Sequence, residues 1–277
     1  MDQLNVQAWQ GRAEDQSGGI SEPQARRIAS VLGSTGSLAV GATLPPLWHW
    51  CAFPSAAPME ELGRDGHPMV GDFLPPVRLE RRMWAGGALR FHAPLRVGER
   101  MTRQSTVRRV TEKQGPMVFV TVDHVIRGER GIAVEETQEI VYLPIPDSYS
   151  PPRTRPMPVA PDLSDRWEMT ETLLFRYSAI TFNAHRIHYD RTYAREVEHY
   201  PDLVVHGPLQ AALLMQAAVR QRGRVPCEFH FRGVHPMFSG RVLDICGSEE
   251  PDGSMQLCTG QDGHQGMQAT AIWQGTV

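Results

Sequence analysis

The sequence predicts an α+β fold made of two similar halves, each of them a long antiparallel sheet wrapped around a helix. Segments in which apolar and polar residues alternate occur in the same order in both halves of the 277-residue chain. A proline-rich segment separates the two sets, and one helix candidate in the second half is apolar on almost every face. Alternation with a period of two is typical of a sheet with one buried face.

The proline-rich segment spans residues 144–163, and seven of these twenty residues are proline. Proline fixes its own backbone angle and lacks an amide hydrogen, so the segment can form neither a helix nor a central strand. It therefore predicts an extended linker between a first domain, residues 1–143, and a second domain, residues 164–277.

The strand candidates repeat in order. In each half a strand, a glycine turn and a second strand come first, and two further alternating strands follow. The turns fall at Gly98 and at Gly240. The segments are 89–102, 117–126 and 133–143 in the first half and 228–244, 254–260 and 266–274 in the second. The repeat is weak in sequence identity, but the order of its elements is clear.

Helix signals are few. Residues 21–33 begin with a serine cap, carry a proline in the first turn and end at a glycine. Residues 209–219 follow Pro208 and are apolar on nearly all sides, which is typical of a buried helix. Their counterpart in the first half, residues 44–53, contains prolines and aromatic residues, so we expect a distorted or shortened central helix there.

Composition and charge exclude several classes of protein. The net charge of −3 provides no strong field for nucleic acid or an anionic membrane, and no apolar run approaches the length of a membrane span. The first residues lack the features of a targeting peptide. The four cysteines contain no close pairs and fit a reducing compartment. We therefore expect a cytoplasmic protein that binds neither nucleic acid nor membrane.

The most informative segment is 175–190, Phe-Arg-Tyr-Ser-Ala-Ile-Thr-Phe-Asn-Ala-His-Arg-Ile-His-Tyr-Asp. An apolar, strand-like run ends at Asn183, His188 follows, and a short polar helix candidate spans residues 189–197. Farther along, Val-Val-His-Gly-Pro-Leu at 204–209 opens the buried helix. A polar loop is thus paired with a helix that starts at glycine, which suggests a site that holds a water molecule against a thioester.

The second half resembles the MaoC-like, type 2 enoyl-CoA hydratases of the hotdog fold, whose motif is roughly Gly-Asp-x-Asn-Pro-Leu/Ile-His-x-Asp. Ile-His-Tyr-Asp at 187–190 matches the end of this motif. By this resemblance His188 occupies the position of the catalytic histidine, and Asn183 that of the catalytic aspartate. His185 and Arg186 replace the Asn-Pro pair. The His-Gly pair before the central helix corresponds to His206 and Gly207.

The motif looks closer to one branch, the mitochondrial-type 3-hydroxyacyl-thioester dehydratases and the bacterial mesaconyl-C4-CoA and itaconyl-CoA hydratases. These are double-hotdog proteins of similar length with a degenerate first half. The resemblance implies a double hotdog over nearly the whole chain, with a degenerate N-terminal half and a catalytic C-terminal half. It also implies reversible hydration of an enoyl-CoA without a cofactor, a CoA-thioester substrate, and as best substrate a branched C5 dicarboxylic thioester that gives citramalyl-CoA.

The chemistry needs a base for water, a proton for Cα and stabilisation of the enolate oxygen. Imidazole titrates near neutral pH, so His188 is suited to both proton transfers. Asn183 orients the water or only caps the turn, and it cannot accept a proton. The N–H of Gly207 is the candidate oxyanion donor, because the first amides of a helix are unpaired. The alternative for Gly207 is close helix–sheet packing.

A free substrate carboxylate requires a cationic partner, for which Arg186 and Arg176 are the first candidates. Arg186 could equally contact the CoA phosphates or lie solvated at the surface. His206 is included among the substrate-binding candidates, although it and His185 are also typical packing residues. Trp48, Trp50 and Phe53 form an acyl pocket or belong to the ordinary core.

No metal is expected, because His185, His188, His199 and His206 lack the spacing of a zinc site. Three alternatives stay open: a general 3-hydroxyacyl-thioester dehydratase, an acyl-CoA thioesterase on the same fold, and a non-catalytic binder of acyl thioesters. A monomer and a homodimer are both compatible with the sequence, because one double hotdog already contains a pair of sheets.

Overall fold

The computed structural model describes residues 6–33, 36–113 and 115–273. Ten strands form one continuous antiparallel sheet. The strands are β1 (Ala13–Gly19), β2 (Arg81–Phe91), β3 (Arg100–Lys113), β4 (Met117–Gly128), β5 (Gly131–Leu143), β6 (Leu163–Glu168), β7 (Glu228–Gly233), β8 (Val242–Glu249), β9 (Met255–Gln261) and β10 (His264–Ile272). The α-helices are α1 (Glu22–Leu32), α2 (Glu171–Thr181), α3 (Arg191–Glu196) and α4 (Gly207–Arg222).

The order of strands across the sheet is β1-β3-β4-β5-β2-β7-β10-β9-β8-β6. Each strand of the first half has its counterpart at the mirrored position in the second half. The halves join where β2 pairs with β7, from Gly86 opposite Arg232 to Arg90 opposite Glu228. The expectation of two similar halves in an α+β fold is thereby confirmed. The exact domain bounds stay a prediction, since β6 already begins at Leu163.

The central helix of the second half is α4. It packs against strands β6 to β10 and is buried along most of its length, from Leu209 to Ala218. Pro208 lies in its first turn, and Gly223 ends it in the left-handed conformation. An all-round apolar helix is stable only when it is enclosed, so the sheet wraps around α4 as the sequence predicts. No helix of the described ranges is long and apolar enough to cross a bilayer.

The first half has only a short 3-10 helix, Trp48–Cys51, at the position of its central helix. Pro45 and Pro46 precede it, and proline cannot continue a helical hydrogen-bond pattern. Trp48 and Phe53 lie in the core, whereas Trp50 packs edge-on against Trp84 and Phe231. Residues 70–79 contribute apolar side chains to a second cluster over β3, β4 and β5. The expected shortening of this helix is therefore observed.

The expectation of a strand-like run at 175–183 was wrong, because these residues belong mostly to α2. The Thr170 hydroxyl accepts a hydrogen bond from the Leu173 amide and caps the helix. Leu174, Tyr177 and Ser178 share one buried side, while Phe175 is exposed. The apolar residues thus follow helical spacing, and the exposed phenylalanine conceals that spacing in the sequence. The polar helix after His188 is shorter than expected and starts at Arg191.

Candidate active site

The loop after α2 lies against the segment that leads into α4. Phe182 turns the chain with a left-handed backbone, φ 53°. The Val204 amide donates to the Ile187 carbonyl oxygen over 2.9 Å, and the His188 Nδ1–H donates to the Val204 carbonyl oxygen over 2.7 Å. These two hydrogen bonds bring the His188 ring next to the residues just before Gly207.

The tautomer of His188 follows from its hydrogen bond. A carbonyl oxygen only accepts, so the proton is on Nδ1 and the lone pair of Nε2 is available for a substrate. Burial lowers the pKa of His188 well below its usual value, and the neighbouring charges of His206 and His185 lower it further. The ring is therefore a neutral base near pH 7.

His206 supports this ring by stacking. The two ring centroids are 3.6 Å apart with an interplanar angle of 20°. One ring nitrogen of His206, Nε2, is 2.9 Å from the Ser178 hydroxyl of α2. The other nitrogen, Nδ1, is buried and has no hydrogen-bond partner within the described residues. Burial, followed by the charge of His185, lowers the pKa of His206 to about 3. His206 thus holds His188 in position as a neutral, packed ring.

Gly207 is the first residue of α4, and its N–H has no acceptor inside the helix. Pro208 follows and has no N–H, so the Gly207 amide is the outermost donor at the positive end of the helix. A Cβ at Gly207 would lie 3.8 Å from the nearest atoms, which belong to Met267 and Trp84. This is ordinary contact distance, so protein packing does not demand glycine here. The other physical reason for a glycine at position 207 is the close approach of a ligand to the main chain.

The Asn183 side chain already forms a hydrogen bond within its own loop. Its Oδ1 accepts the His185 amide hydrogen over 2.9 Å, which caps the turn. Within the described residues its side-chain nitrogen donates no hydrogen bond. The capping alternative is therefore observed, and only the amide NH₂ of this half-buried side chain is available to orient a water molecule.

The arginines expected near the substrate lie in different surroundings. Arg186 donates to the Asp190 carboxylate at 2.6 and 3.0 Å, and its guanidinium lies 4.3 Å from the centre of the Tyr193 ring. Asp190 also caps α3 through the Tyr193 amide, which agrees with the structural role expected for it. Arg176 is exposed on α2. Their roles as substrate ligands stay predictions.

A buried ion pair contacts the loop of His188 and was not predicted from the sequence. The Glu198 carboxylate contacts His185 Nε2 at 3.2 Å and Arg81 Nε at 3.1 Å. Arg81 also donates to the Glu198 carbonyl oxygen and belongs to β2 of the first half. The His185 ring touches the edge of the His188 ring, with centroids 5.4 Å apart. Glu198 thereby ties the loop of His188 to the other half of the protein.

A loop of the first half also reaches the site and was not predicted. Asp65 Oδ2 is 2.7 Å from His67 Nδ1, and the Asp65 carbonyl oxygen accepts the Arg186 amide hydrogen. A side chain at Gly66 would overlap with the Ala184 carbonyl oxygen, so only glycine permits this approach. The His67 ring lies 4.2 Å from that of His185. Both halves therefore contribute polar side chains around His188.

Two cavities of about 420 and 430 Å³ open elsewhere. The first lies along strands β7 to β10. The second lies beside the 3-10 helix of the first half, where it is lined by His49, Phe91 and Trp273. Neither is lined by His188.

The neutral stacked histidines predict a loss of stability in mild acid. Histidine in an unfolded chain titrates near 6.5, whereas burial lowers the folded pKa of His206 to about 3. Below pH 6.5 the unfolded state binds the extra proton, so the free energy of unfolding falls by up to about 1.4 kcal/mol per pH unit for each such histidine. Urea unfolding at pH 7, 6 and 5 measures this slope. In His206→Gln the slope should be smaller, and parallel slopes would contradict the assignment.

Comparisons with known proteins show the family of the chain. Residues 47–239 match the family model of hydroxyacyl-thioester dehydratase type 2. The chain is 40% identical over 275 residues to mesaconyl-C(4)-CoA hydratase of Chloroflexus aurantiacus, and the match covers 98% of both chains. It is 29% identical to the mitochondrial hydroxyacyl-thioester dehydratase type 2 of Schizosaccharomyces pombe, covering 75% of this chain and 78% of the relative.

Solved structures show the fold. A MaoC-like dehydratase from Phytophthora capsici superposes with a TM-score of 0.75 at 13% identity, covering 99% of both chains. A Mycobacterium tuberculosis protein described as a double hotdog superposes with a TM-score of 0.56 at 13% identity, covering 95% of both chains. With the family model matched over most of the chain and a relative 40% identical over nearly its full length, the chain belongs to the hydroxyacyl-thioester dehydratase type 2 family and is a hydro-lyase.

Proposed function

We propose that the protein reversibly hydrates a branched C5 dicarboxylic enoyl-CoA, mesaconyl-C4-CoA or itaconyl-CoA, to citramalyl-CoA. The observation that carries the proposal is the free Nε2 of His188 beside the unpaired amide of Gly207. The choice of acyl group is supported by the relative named mesaconyl-C(4)-CoA hydratase, which is 40% identical.

His188 acts as the base in the first step. Its Nε2 takes a proton from water while the water oxygen bonds to Cβ of the enoyl group. In mesaconyl-C4-CoA the π electrons of the Cα–Cβ bond move to the thioester, and a negative charge develops on its carbonyl oxygen. The double bond of itaconyl-CoA lies between Cβ and the terminal carbon, so that ester must first isomerise, with one proton moved from Cα to the terminal carbon, before the same addition. The Gly207 amide at the start of α4 donates to that oxygen. One such donor stabilises a transition state by about 3–4 kcal/mol in known acyl-transfer enzymes.

The second step returns the proton. Protonated His188 donates from Nε2 to Cα, the thioester carbonyl re-forms, and the base is neutral again. Asn183 cannot share this work, because a carboxamide does not titrate, so one residue carries both proton transfers. The NH₂ group of Asn183 donates to the oxygen of the attacking water and fixes its position.

A panel of enoyl-CoA esters tests the proposal. The purified protein is incubated with mesaconyl-C4-CoA, itaconyl-CoA and crotonyl-CoA, and mass spectrometry detects the gain of one water molecule. We expect the two dicarboxylic esters to be hydrated with the higher kcat/KM. If crotonyl-CoA were turned over better, the protein would be a general 3-hydroxyacyl-thioester dehydratase. Release of free CoA thiol, detected with a disulfide reagent, would instead indicate a thioesterase.

The cellular compartment and the oligomeric state of the enzyme are further predictions. The cytoplasm remains our prediction, whereas the Schizosaccharomyces pombe relative is named as mitochondrial. The substrate is a CoA thioester, and a homodimer stays compatible with the fold.

A further inference from the structure

We propose that Arg82 of β2, together with the rings of His67 and His185, binds the free carboxylate of the acyl group. This inference rests on the proposed function, since only a dicarboxylic acyl group presents such a carboxylate. The first half of the protein would then determine substrate specificity, while the second half performs the chemistry. Four observations support the assignment.

First, Arg82 is a half-buried cation without an anionic partner. Its neighbour Arg81 is held by Glu198, whereas Arg82 forms no ion pair with any described carboxylate. A partly buried guanidinium is stabilised when it meets a carboxylate, because the planar fork can donate two parallel hydrogen bonds. An anionic ligand would supply the carboxylate partner that Arg82 lacks among the described residues.

Second, Arg82 lies near the loop of Asp65 and His67, and its strand passes close to the start of α4. Arg82 lies opposite Tyr142 on β5, and directly opposite residues in an antiparallel pair point to the same face. Burial raises the pKa of the Tyr142 hydroxyl on this face, and the positive charge of Arg82 lowers it by a smaller amount. Trp84, two positions along β2, shares this face. The backbone of β2 also passes close to the start of α4, since the Trp84 carbonyl oxygen lies 3.8 Å from the Cβ position of Gly207.

Third, the two histidines each keep one ring nitrogen for a ligand. Asp65 holds His67 through Nδ1, and Glu198 holds His185 through Nε2. The opposite nitrogens, Nε2 of His67 and Nδ1 of His185, have no partner among the described residues. The rings are 4.2 Å apart, and their free nitrogens are acceptors, so a water molecule that donates to a ring nitrogen and to the carboxylate can link the two.

Fourth, the carboxylates of Asp65 and Glu198 already contact the two rings, and the nearby charge that meets no described carboxylate is that of Arg82. Asp65, His67 and His185 place their ligand atoms within 4.8 Å of one another, a spacing that could also hold a metal ion. Burial lowers the pKa of His67 to about 3, and the positive charge of Arg82 is the next cause. A metal ion would be repelled by this guanidinium, whereas a carboxylate is attracted by it.

The position also suits the chemistry. In mesaconyl-C4-CoA the carboxylate is attached to Cβ, the carbon that water attacks. Its receptor must therefore lie next to the base, and the His185 ring, 5.4 Å from the His188 ring, meets this requirement. Holding the carboxylate there would bring Cβ to the water on Nε2 of His188.

The test measures binding, so that it does not depend on turnover. Succinyl-CoA and butyryl-CoA are unreactive and differ at the acyl end by a carboxylate in place of a methyl group. Isothermal titration calorimetry gives Kd for both with the wild type, Arg82→Gln, Arg82→Lys and the control Arg78→Gln. Arg78 is exposed just before β2. We expect the wild type to prefer succinyl-CoA by about 10- to 100-fold, as for a charged hydrogen bond.

In Arg82→Gln this preference should vanish while the Kd of butyryl-CoA is unchanged. Arg82→Lys should keep part of it, and Arg78→Gln all of it. An unchanged preference in Arg82→Gln, equal weakening of both ligands, or no preference in the wild type would each overturn the assignment. If the wild type prefers succinyl-CoA through Arg82 but hydrates neither dicarboxylic enoyl-CoA, the proposed function fails and the carboxylate site stands.

Discussion

Replacing His188 with alanine should reduce kcat for enoyl-CoA hydration by at least about 100-fold, the contribution typical of a general acid–base residue. His188 keeps its Nε2 free close to the start of α4, and Asn183 cannot replace it as a base. Steady-state kinetics with the best enoyl-CoA of the panel, followed by the loss of enoyl absorbance, provides the measurement.

Two variants serve as comparisons. His92→Ala removes an exposed histidine that pairs with Glu135 at the end of β2, and it should leave kcat unchanged. Asn183→Ala should reduce kcat less than His188→Ala, because it loses the position of the water but keeps the base. Circular dichroism establishes that each variant is folded. Wild-type kcat in a folded His188→Ala protein would remove His188 from the mechanism.

Replacing Glu198 with alanine should lower the free energy of unfolding by about 3–5 kcal/mol, the usual cost of removing one partner of a buried ion pair. The Glu198 side chain is fully buried, and that of Arg81 is 11% exposed. Without Glu198 the guanidinium would stay buried with no compensating charge, and His185 would lose the carboxylate that orients its ring. Urea unfolding at pH 7.5 measures the difference.

Glu196→Ala is the matched control. Glu196 is exposed at the end of α3, two positions before Glu198, and its removal should change the free energy of unfolding by less than about 0.5 kcal/mol. Equal stability of the two alanine variants would show that the ion pair contributes nothing to the fold.

The architecture could be predicted because the long strands and the central helix each follow a local pattern of apolar and polar residues. Alternation identified the long strands, and the all-apolar run from Leu209 identified the central helix. The short edge strands β1 and β6 escaped notice, since one is mostly polar and glycine-rich and the other follows directly on the linker. Helix α2 was mistaken for a strand because its exposed Phe175 and Phe182 make an amphipathic helix appear continuously apolar.

The candidate site could be predicted only where its residues are neighbours in the sequence. His188 and Gly207 stand in recognisable motifs, and the structure brings them together. Asp65, His67 and Arg82 come from the first half and carry no motif, so only the folded chain shows that they surround the same loop. A glycine between Asp65 and His67 was the one available signal, because it permits the contact with Ala184.

The palindromic strand order has a consequence for biosynthesis. Every strand pair lies within one half except β2–β7, so the first half can complete its own pairing as soon as it leaves the ribosome. Until β7 has been translated, β2 is an open edge, and such edges recruit other chains into aggregates. The arginines at both ends of β2, Arg81, Arg82 and Arg90, repel other nascent chains of the same kind during this interval. Arg81 and Arg90, which pair with Glu198 and Glu228 in the finished fold, would thus also disfavour association of its unfinished form.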